Sequence, residues 1–89
     1  MTWWCYMIRC ADETLYTGIT NDLQRRIDAH NAGTASKYTR VRRPVDLAYA
    51  EPHPARSEAS KREAAIKRLS REAKLALIEN GSLMGDRCV

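Results

Sequence analysis

The chain has 89 residues, enough for one hydrophobic core and too few for a second domain. A hydrophobic share of 44% and a charged share of 29% are typical of a folded globular domain and exclude a disordered tail, a coiled coil and a membrane protein. Lys and Arg number 15 against 11 Asp and Glu, so the net charge of +4 favours a polyanionic partner.

The apolar run at the start of the chain, Trp3 to Ile8, is too short for a signal peptide or a membrane span. The three cysteines form no CxxC pair, and an odd number suits neither a disulfide framework nor a tetrahedral zinc site. We therefore expect a cytoplasmic protein with reduced, space-filling thiols at Cys5, Cys10 and Cys88.

Three short runs of residues predict β-strands. Trp3 to Ile8 is apolar on both faces, as in a central strand, and Leu15 to Ile19 follows as its hairpin partner. From Val45 to Tyr49 apolar residues alternate with others, which predicts a third strand with one apolar face. Pro52 and Pro54 are expected to end it.

The first predicted helix runs from Asn21 to Asn31. Asn21 and Gln24 fit a capping box, and Gly33 is well placed to end the helix. A basic loop over residues 32–44 then leads to the third strand.

Two further helices are predicted in the C-terminal half, from Ser57 to Leu69 and from Arg71 to Asn80. Ser70 is a suitable cap between them, and Gly81 a suitable end. The expected organisation is one domain over residues 1–81 and a loose tail over 82–89.

Polar groups lie on the apolar stripe of the first predicted helix. At about 100° per residue, Leu23, Arg26, Ile27 and His30 share one side, whereas Arg25 lies on the solvated side. A buried or half-buried guanidinium is costly unless it is paired. Arg26 is therefore expected either to meet a carboxylate or to line a cleft that receives an anion.

The second predicted helix carries a carboxylate on its apolar stripe, since Glu63 shares that stripe with Ile66. Two interpretations stay open: a structural salt bridge, for example to Arg26, or a metal ligand whose ion is completed by phosphate and water. Glu58 and Arg62 are spaced for an ion pair on the flank of this helix.

The basic loop interleaves positive charges with hydroxyl groups and an aromatic ring. Such a surface is either ordinary solvated surface or a site for phosphate contact and base stacking. The candidate nucleic-acid-binding residues are Lys37, Tyr38, Arg40, Arg42 and Arg43.

Two tyrosines, Tyr6 and Tyr16, lie on the predicted hairpin strands, where most tyrosines are core residues with a satisfied hydroxyl group. Gly18 has no side chain at the point where the second strand leads into the helix, so another group can approach the backbone there.

Taken in chain order, these residues resemble the motifs of the GIY-YIG nuclease superfamily. The motifs are Tyr6, the triplet Tyr16-Thr17-Gly18, Arg26, His30 and Glu63. The stretches LYTGITNDLQRRIDAHNAG, KYTRVRRPV and SEASKREAAIKRLSR are similar to the small, single-domain GIY-YIG proteins of bacteria, over about Trp3 to Leu77.

The resemblance implies an α/β fold of the α+β sandwich type, with a three-stranded antiparallel sheet flanked by about three helices. It implies a metal-dependent endonuclease that hydrolyses phosphodiester bonds of nucleic acid, with DNA favoured over RNA and one Mg²⁺ or Mn²⁺ ion. No membrane and no small-molecule cofactor is expected, while a second copy of the chain and a targeting partner stay open.

The resemblance also implies roles for the catalytic candidates. Arg26 matches the phosphate-binding arginine, Glu63 the metal-binding glutamate and His30 the histidine one turn beyond the arginine. Tyr6 and Tyr16 match the two motif tyrosines, of which either orients or deprotonates water.

Gly18 matches the motif glycine as a structural residue of the site, and all six residues are expected to border one cleft. The alternative functions are a non-catalytic nucleic-acid-binding module that retains this cleft and a protein-interaction domain that uses the basic second helix. Metal-dependent cleavage distinguishes the enzyme from the non-catalytic binding module. Salt-dependent nucleic-acid binding distinguishes both of these from the protein-interaction domain.

Overall fold

The computed structural model describes residues 2–80, which form an antiparallel sheet of three strands in the order β2-β1-β3 and four helices. The elements are β1 (Trp3–Arg9), β2 (Leu15–Thr20), α1 (Leu23–Ala32), α2 (Lys37–Arg40), β3 (Asp46–His53), α3 (Arg56–Lys67) and α4 (Arg71–Asn80). The predicted α+β fold with a central first strand is confirmed. The predictions for Gly81, for the tail over 82–89 and for Cys88 lie outside the described residues.

The helices cover both faces of the sheet because successive side chains of β1 point in opposite directions. Tyr6 lies on the face that packs against Ile27 of α1, which we call the tyrosine face. Met7 lies on the opposite face, which packs against Ile66 of α3 and Leu77 of α4. The sheet is therefore the middle layer of a sandwich.

Strand β3 contains a β-bulge that the sequence pattern did not indicate. Met7 pairs with Tyr49 but Ile8 pairs with Leu47, so Ala48 is an extra residue in β3. Leu47 consequently packs on the tyrosine face and Tyr49 on the opposite face. The predicted alternation of both side chains on one face is wrong because the bulge shifts the two-residue period by one.

Pro52 lies inside β3 instead of ending it, opposite Trp4 of β1. Strand β3 is at the edge of the sheet, where a proline is tolerated when its missing N–H faces away from the neighbouring strand.

Helix α1 is capped by Asp22, one residue after the predicted Asn21. The Asp22 carboxylate accepts a hydrogen bond of 3.1 Å from the backbone N–H of Arg25, while Gln24 donates to Asp28 on the exposed side. Gly33 ends the helix as predicted, at a φ of 84° that favours glycine.

Helix α2 lies within the segment predicted as a loop. The Ser36 hydroxyl caps it by accepting a hydrogen bond of 3.1 Å from the backbone N–H of Tyr38. A single turn with this polar composition has no detectable helical periodicity, so the sequence did not predict it.

The Asn31 side chain connects the end of α1 to the start of β3. Its Oδ1 accepts a hydrogen bond of 2.8 Å from Val45 N, and its Nδ2 donates one of 3.1 Å to Val45 O. The two ends of the segment 32–44 are therefore held together by one amide.

The C-terminal helices end within two residues of their predicted bounds, and the Ser70 hydroxyl caps α4 through Ala73 N at 3.1 Å. Cys5 and Cys10 are buried free thiols, as predicted. In the part of the chain that the structure describes, each helix is too short or too polar to cross a bilayer.

Candidate active site

A histidine and two tyrosines meet on the tyrosine face. Oη of Tyr6 lies 2.9 Å from Nε2 of His30, and these two side chains are 2% and 1% exposed. The Tyr16 ring packs edge-on against the same imidazole, with ring centroids 5.2 Å apart. The structure thus brings together three of the predicted catalytic residues, and both tyrosines lie on one face of the sheet.

Gly18 makes room for the Tyr6 phenol. It pairs with Tyr6 across the two strands, and a Cβ atom at this position would lie only 2.6 Å from Oη of Tyr6. Any larger residue forces the phenol to move, since packed cores do not accommodate extra atoms without strain. Gly18 is therefore a structural residue of this cluster.

The Tyr6 hydroxyl also senses charges from two helices. Burial raises its pKa, Tyr16 and Glu63 raise it further, and Arg26 lowers it. Arg26 and Glu63 therefore both lie within electrostatic range of one phenol, which remains protonated at neutral pH.

Arg26 is exposed rather than buried on the apolar stripe, so the prediction of a buried guanidinium is wrong. Its long side chain extends beyond the stripe that Ile27 occupies. Within residues 2–80 it forms no ion pair, and it lines an open cleft of about 440 Å³. Of the six residues expected to border one cleft, only Arg26 lines this one, and its role in receiving an anion stays a prediction. The lining residues of the cleft are Thr20, Asn21, Asp22, Arg25, Arg26 and Ala29.

Glu63 is half-buried on α3, and its carboxylate forms an ion pair with Lys67 at 3.3 Å instead of Arg26. Helix α3 packs on the opposite face of the sheet from α1. Glu63 acts on Tyr6 through its charge, and its place at the same cleft as Arg26 stays a prediction.

A polar network that the sequence did not indicate surrounds Glu51 of β3. Tyr49, His53 and Arg62 all contact its carboxylate, with Arg62 Nε at 2.8 Å and His53 Nε2 at 2.7 Å. Burial opposes ionisation of Glu51, but hydrogen bonds from these three side chains outweigh it and lower its pKa. The predicted pair of Arg62 with Glu58 is wrong because the partly buried Glu51 binds this guanidinium instead.

The predicted basic loop over residues 32–44, called the basic segment from here on because it contains helix α2, is partly engaged in internal contacts. The Arg42 guanidinium lies 3.9 Å from the centre of the Tyr38 ring, which stacks on Tyr16 at 5.9 Å. Arg42 also pairs with Asp12 at 3.0 Å, although its Nε–H is not aligned as a hydrogen bond, and Arg43 donates to the Arg40 carbonyl at 2.8 Å. In the described part of the chain, the side chains of Lys37 and Arg40 are exposed and make no ion pair.

These features define a small α+β domain with a buried tyrosine–histidine cluster on one face of its sheet. Residues 2–76 match the GIY-YIG catalytic domain, so the chain belongs to the GIY-YIG family, a family of nucleases.

Bacterial relatives share most of the chain. It is 50% identical to a UPF0213 protein of Staphylococcus saprophyticus over 76 residues, 85% of this chain and 93% of the relative. It is 54% identical to a UPF0213 protein of Desulfotalea psychrophila over 78 residues, 86% and 71% of the two chains.

Two solution NMR structures have the same fold. The UPF0213 protein BH0048 of Bacillus halodurans is 39% identical, with a TM-score of 0.58 and coverage of 89% of this chain and 84% of that one. The protein EF2693 of E. faecalis is 37% identical, with a TM-score of 0.62 and coverage of 91% and 86%.

The environment of His30 predicts acid sensitivity. Burial, followed by the charge of Arg26, lowers the pKa of His30 below its ordinary value of 6.5. Between the lowered pKa and pH 6.5, the unfolded chain binds a proton that the folded chain does not. The contribution of neutral His30 to the free energy of unfolding is therefore complete above about pH 6.5 and is lost as pH falls through the lowered pKa. Urea unfolding at a series of pH values measures the slope of the free energy of unfolding against pH.

His30→Gln should remove the slope in this window, whereas His53→Gln should retain it. An unchanged slope in His30→Gln would contradict the assignment.

Proposed function

We propose that this protein is a metal-dependent endonuclease that hydrolyses phosphodiester bonds, with nucleic acid as substrate and DNA preferred to RNA. The observation that carries the proposal is the buried hydrogen bond between Tyr6 and His30, on which the charges of Arg26 and Glu63 both act. The chain is a GIY-YIG catalytic domain, and this arrangement combines the proton-accepting pair Tyr6 and His30 with the cation of Arg26 and the anion of Glu63.

The donor set suits a single divalent ion. Residues 2–80 contain no cluster of three or more His, Cys, Asp or Glu side chains that could hold a metal, so an all-protein cage is excluded in this part of the chain. Mg²⁺ is commonly bound by one or two carboxylates, with waters and substrate phosphate as its other ligands. Glu63 would supply the carboxylate, and Mg²⁺ or Mn²⁺ would neutralise phosphate charge as a Lewis acid.

Arg26 would bind a nonbridging phosphate oxygen. Its planar guanidinium presents paired N–H donors, and in the described chain no carboxylate occupies them. Its position in an open cleft leaves the group accessible to a phosphodiester.

Tyr6 and His30 would move the proton of the attacking water. Because burial raises the pKa of Tyr6, a free phenolate is unfavourable before reaction. In this route Tyr6 accepts the water proton as its own proton passes to Nε2 of His30, so no isolated phenolate forms. Tyr16, half-buried against the imidazole, would orient the water.

The basic segment would hold the nucleic-acid backbone near this site. Lys37 and Arg40 are the exposed cations available for phosphate contact, while the Tyr38 ring is already contacted by Tyr16 and Arg42. The buried free thiols are consistent with action in the cytoplasm, where nucleic acid is also present.

Glu63→Gln tests the metal ligand. The amide has the same shape but no negative charge, so we expect the fold to persist and metal-dependent cleavage to disappear. Loss of the partly exposed pair with Lys67 should cost less than about 1 kcal/mol of stability. Cleavage of single-stranded, nicked, branched and RNA substrates with Mg²⁺ or Mn²⁺ measures the first effect, and urea unfolding the second.

Glu58→Gln, the same substitution on an exposed turn of α3, is the matched control and should retain full cleavage. A wild-type protein that binds nucleic acid but cuts no substrate in either metal would contradict the enzyme and favour the binding module.

Arg26→Lys tests the phosphate contact. Lysine keeps the charge but loses the planar pair of donors, so turnover should fall by about 10²-fold or more, as on loss of one transition-state donor. Single-turnover rates at saturating metal measure the effect. The neighbouring Arg25→Lys variant is the control and should retain the rate, and equal losses in both variants would contradict a specific phosphate contact by Arg26.

Substitutions in the basic segment should separate binding from folding. Lys37→Gln or Arg40→Gln should reduce the salt slope of nucleic-acid affinity by about 0.7 to 0.9 per lost contact, without changing Tm. Arg42→Gln should lower Tm, since this guanidinium contacts Asp12 and donates to the Tyr38 carbonyl.

Fluorescence anisotropy on unrelated sequences at several salt concentrations, with thermal melts, measures both quantities. Unchanged affinity in the Lys37→Gln/Arg40→Gln double variant would make this segment ordinary solvated surface.

A further inference from the structure

Thr39 connects helix α2 to the buried cluster. Its side chain is completely buried, and its Oγ1 lies 2.8 Å from Nδ1 of His30. The imidazole therefore has one partner at each nitrogen: Thr39 at Nδ1 and Tyr6 at Nε2.

The hydrogen bond at Nδ1 has two possible donors, the Thr39 hydroxyl group and Nδ1–H of His30. Its hydroxyl group has one proton, and Oγ1 lies 3.4 Å from the carbonyl oxygen of Ser36. A carbonyl oxygen only accepts, so if the Thr39 proton points to Ser36, Oγ1 accepts a hydrogen bond from Nδ1–H of His30.

The contact of Tyr6 with the other ring nitrogen, Nε2, distinguishes the two tautomers. Tyr6 Oη makes no hydrogen bond within residues 2–80 except the one to His30. If Nε2 carried the proton, the buried phenolic proton would have no acceptor in this part of the chain, which is unfavourable. A bare Nε2 accepts the phenolic proton, so the Tyr6 end favours the tautomer protonated at Nδ1, and Oγ1 of Thr39 can accept the hydrogen bond from Nδ1–H.

We propose that Thr39 is a positioning residue that holds His30 as the Nδ1–H tautomer, with Nε2 free to accept the proton of Tyr6. This inference rests on the proposed function for its effect on cleavage, but the tautomer itself is independent of activity. Partners that orient metal-ligating histidines act in a similar way, and their removal typically costs about 10- to 100-fold in metal affinity or activity.

The burial of the ring makes this contact effective. Burial disfavours the charged imidazolium, and the positive charge of Arg26 acts in the same direction. The resting imidazole is therefore neutral at pH 7. A neutral ring has one donor nitrogen and one acceptor nitrogen, and Thr39 holds the donor at Nδ1. When His30 takes the proton of Tyr6, Nδ1–H remains bonded to Oγ1 of Thr39 and the added charge is partly stabilised.

The test measures the tautomer and the cleavage rate of full-length chains. Long-range ¹H–¹⁵N NMR spectra of ¹⁵N-labelled protein distinguish protonated from bare ring nitrogens, and His53→Gln assigns the His30 signals. We expect Nδ1–H and bare Nε2 in the wild type. Thr39→Val keeps the shape but removes the acceptor, so the ring should lose this preference and cleavage should fall by about 10- to 100-fold.

Thr39→Ser retains the hydroxyl and should restore both the tautomer and most of the rate. Thr17→Val is the matched control, because Thr17 is also buried but its hydroxyl has no hydrogen-bond partner within residues 2–80. This variant should leave both readouts unchanged.

A wild-type His30 protonated at Nε2 would overturn the proposal, and so would a folded Thr39→Val variant with unchanged tautomer and rate. The wild-type spectrum tests the assignment even if Thr39→Val does not fold. A wild type with the expected tautomer that cleaves no nucleic acid would overturn the proposed function and leave the role of Thr39 in fixing the tautomer supported.

Discussion

The burial of the Tyr6 hydroxyl is the constraint on which the rest of the site depends. A buried phenol needs a hydrogen-bond partner, which His30 provides at 2.9 Å, and the buried imidazole needs a second partner, which Thr39 provides at 2.8 Å. Gly18 leaves the space that the phenol occupies. A single chain of buried polar groups therefore connects β1, α1 and α2.

The charged residues lie around this neutral centre. Arg26 is exposed, and Glu63 is half-buried beside the exposed end of Lys67. Neither carries the full desolvation cost of a buried ion, which often exceeds the attraction gained by pairing. The cluster can thus be stable without substrate, while the two charges that the proposed function assigns to phosphate and to a divalent cation lie outside the buried core.

The sequence predicted the parts of the site that depend on strand pattern and helical phase. The central strand, the side of α1 that carries His30, and the motif order required no knowledge of the tertiary structure. The exposure of Arg26 did not follow, because phase gives the direction of a side chain but not where its long stem ends. The reversal of Tyr49 and the contact of Thr39 were also missed. Both depend on local irregularities, a bulge and a single helical turn, that leave no periodic signal.

The amide of Asn31 has a consequence for how the chain tolerates change. By binding both backbone groups of Val45, it holds the ends of the segment 32–44 in place independently of the residues between them. The entropy of closing such a loop depends only weakly on its length, with a doubling costing about 0.6 kcal/mol. Substitutions in this segment can therefore change its exposed surface while the sheet remains intact. Thr39 is the residue of this segment that cannot vary freely, since a substitution that removed its hydroxyl group would leave Nδ1 of His30 without its partner.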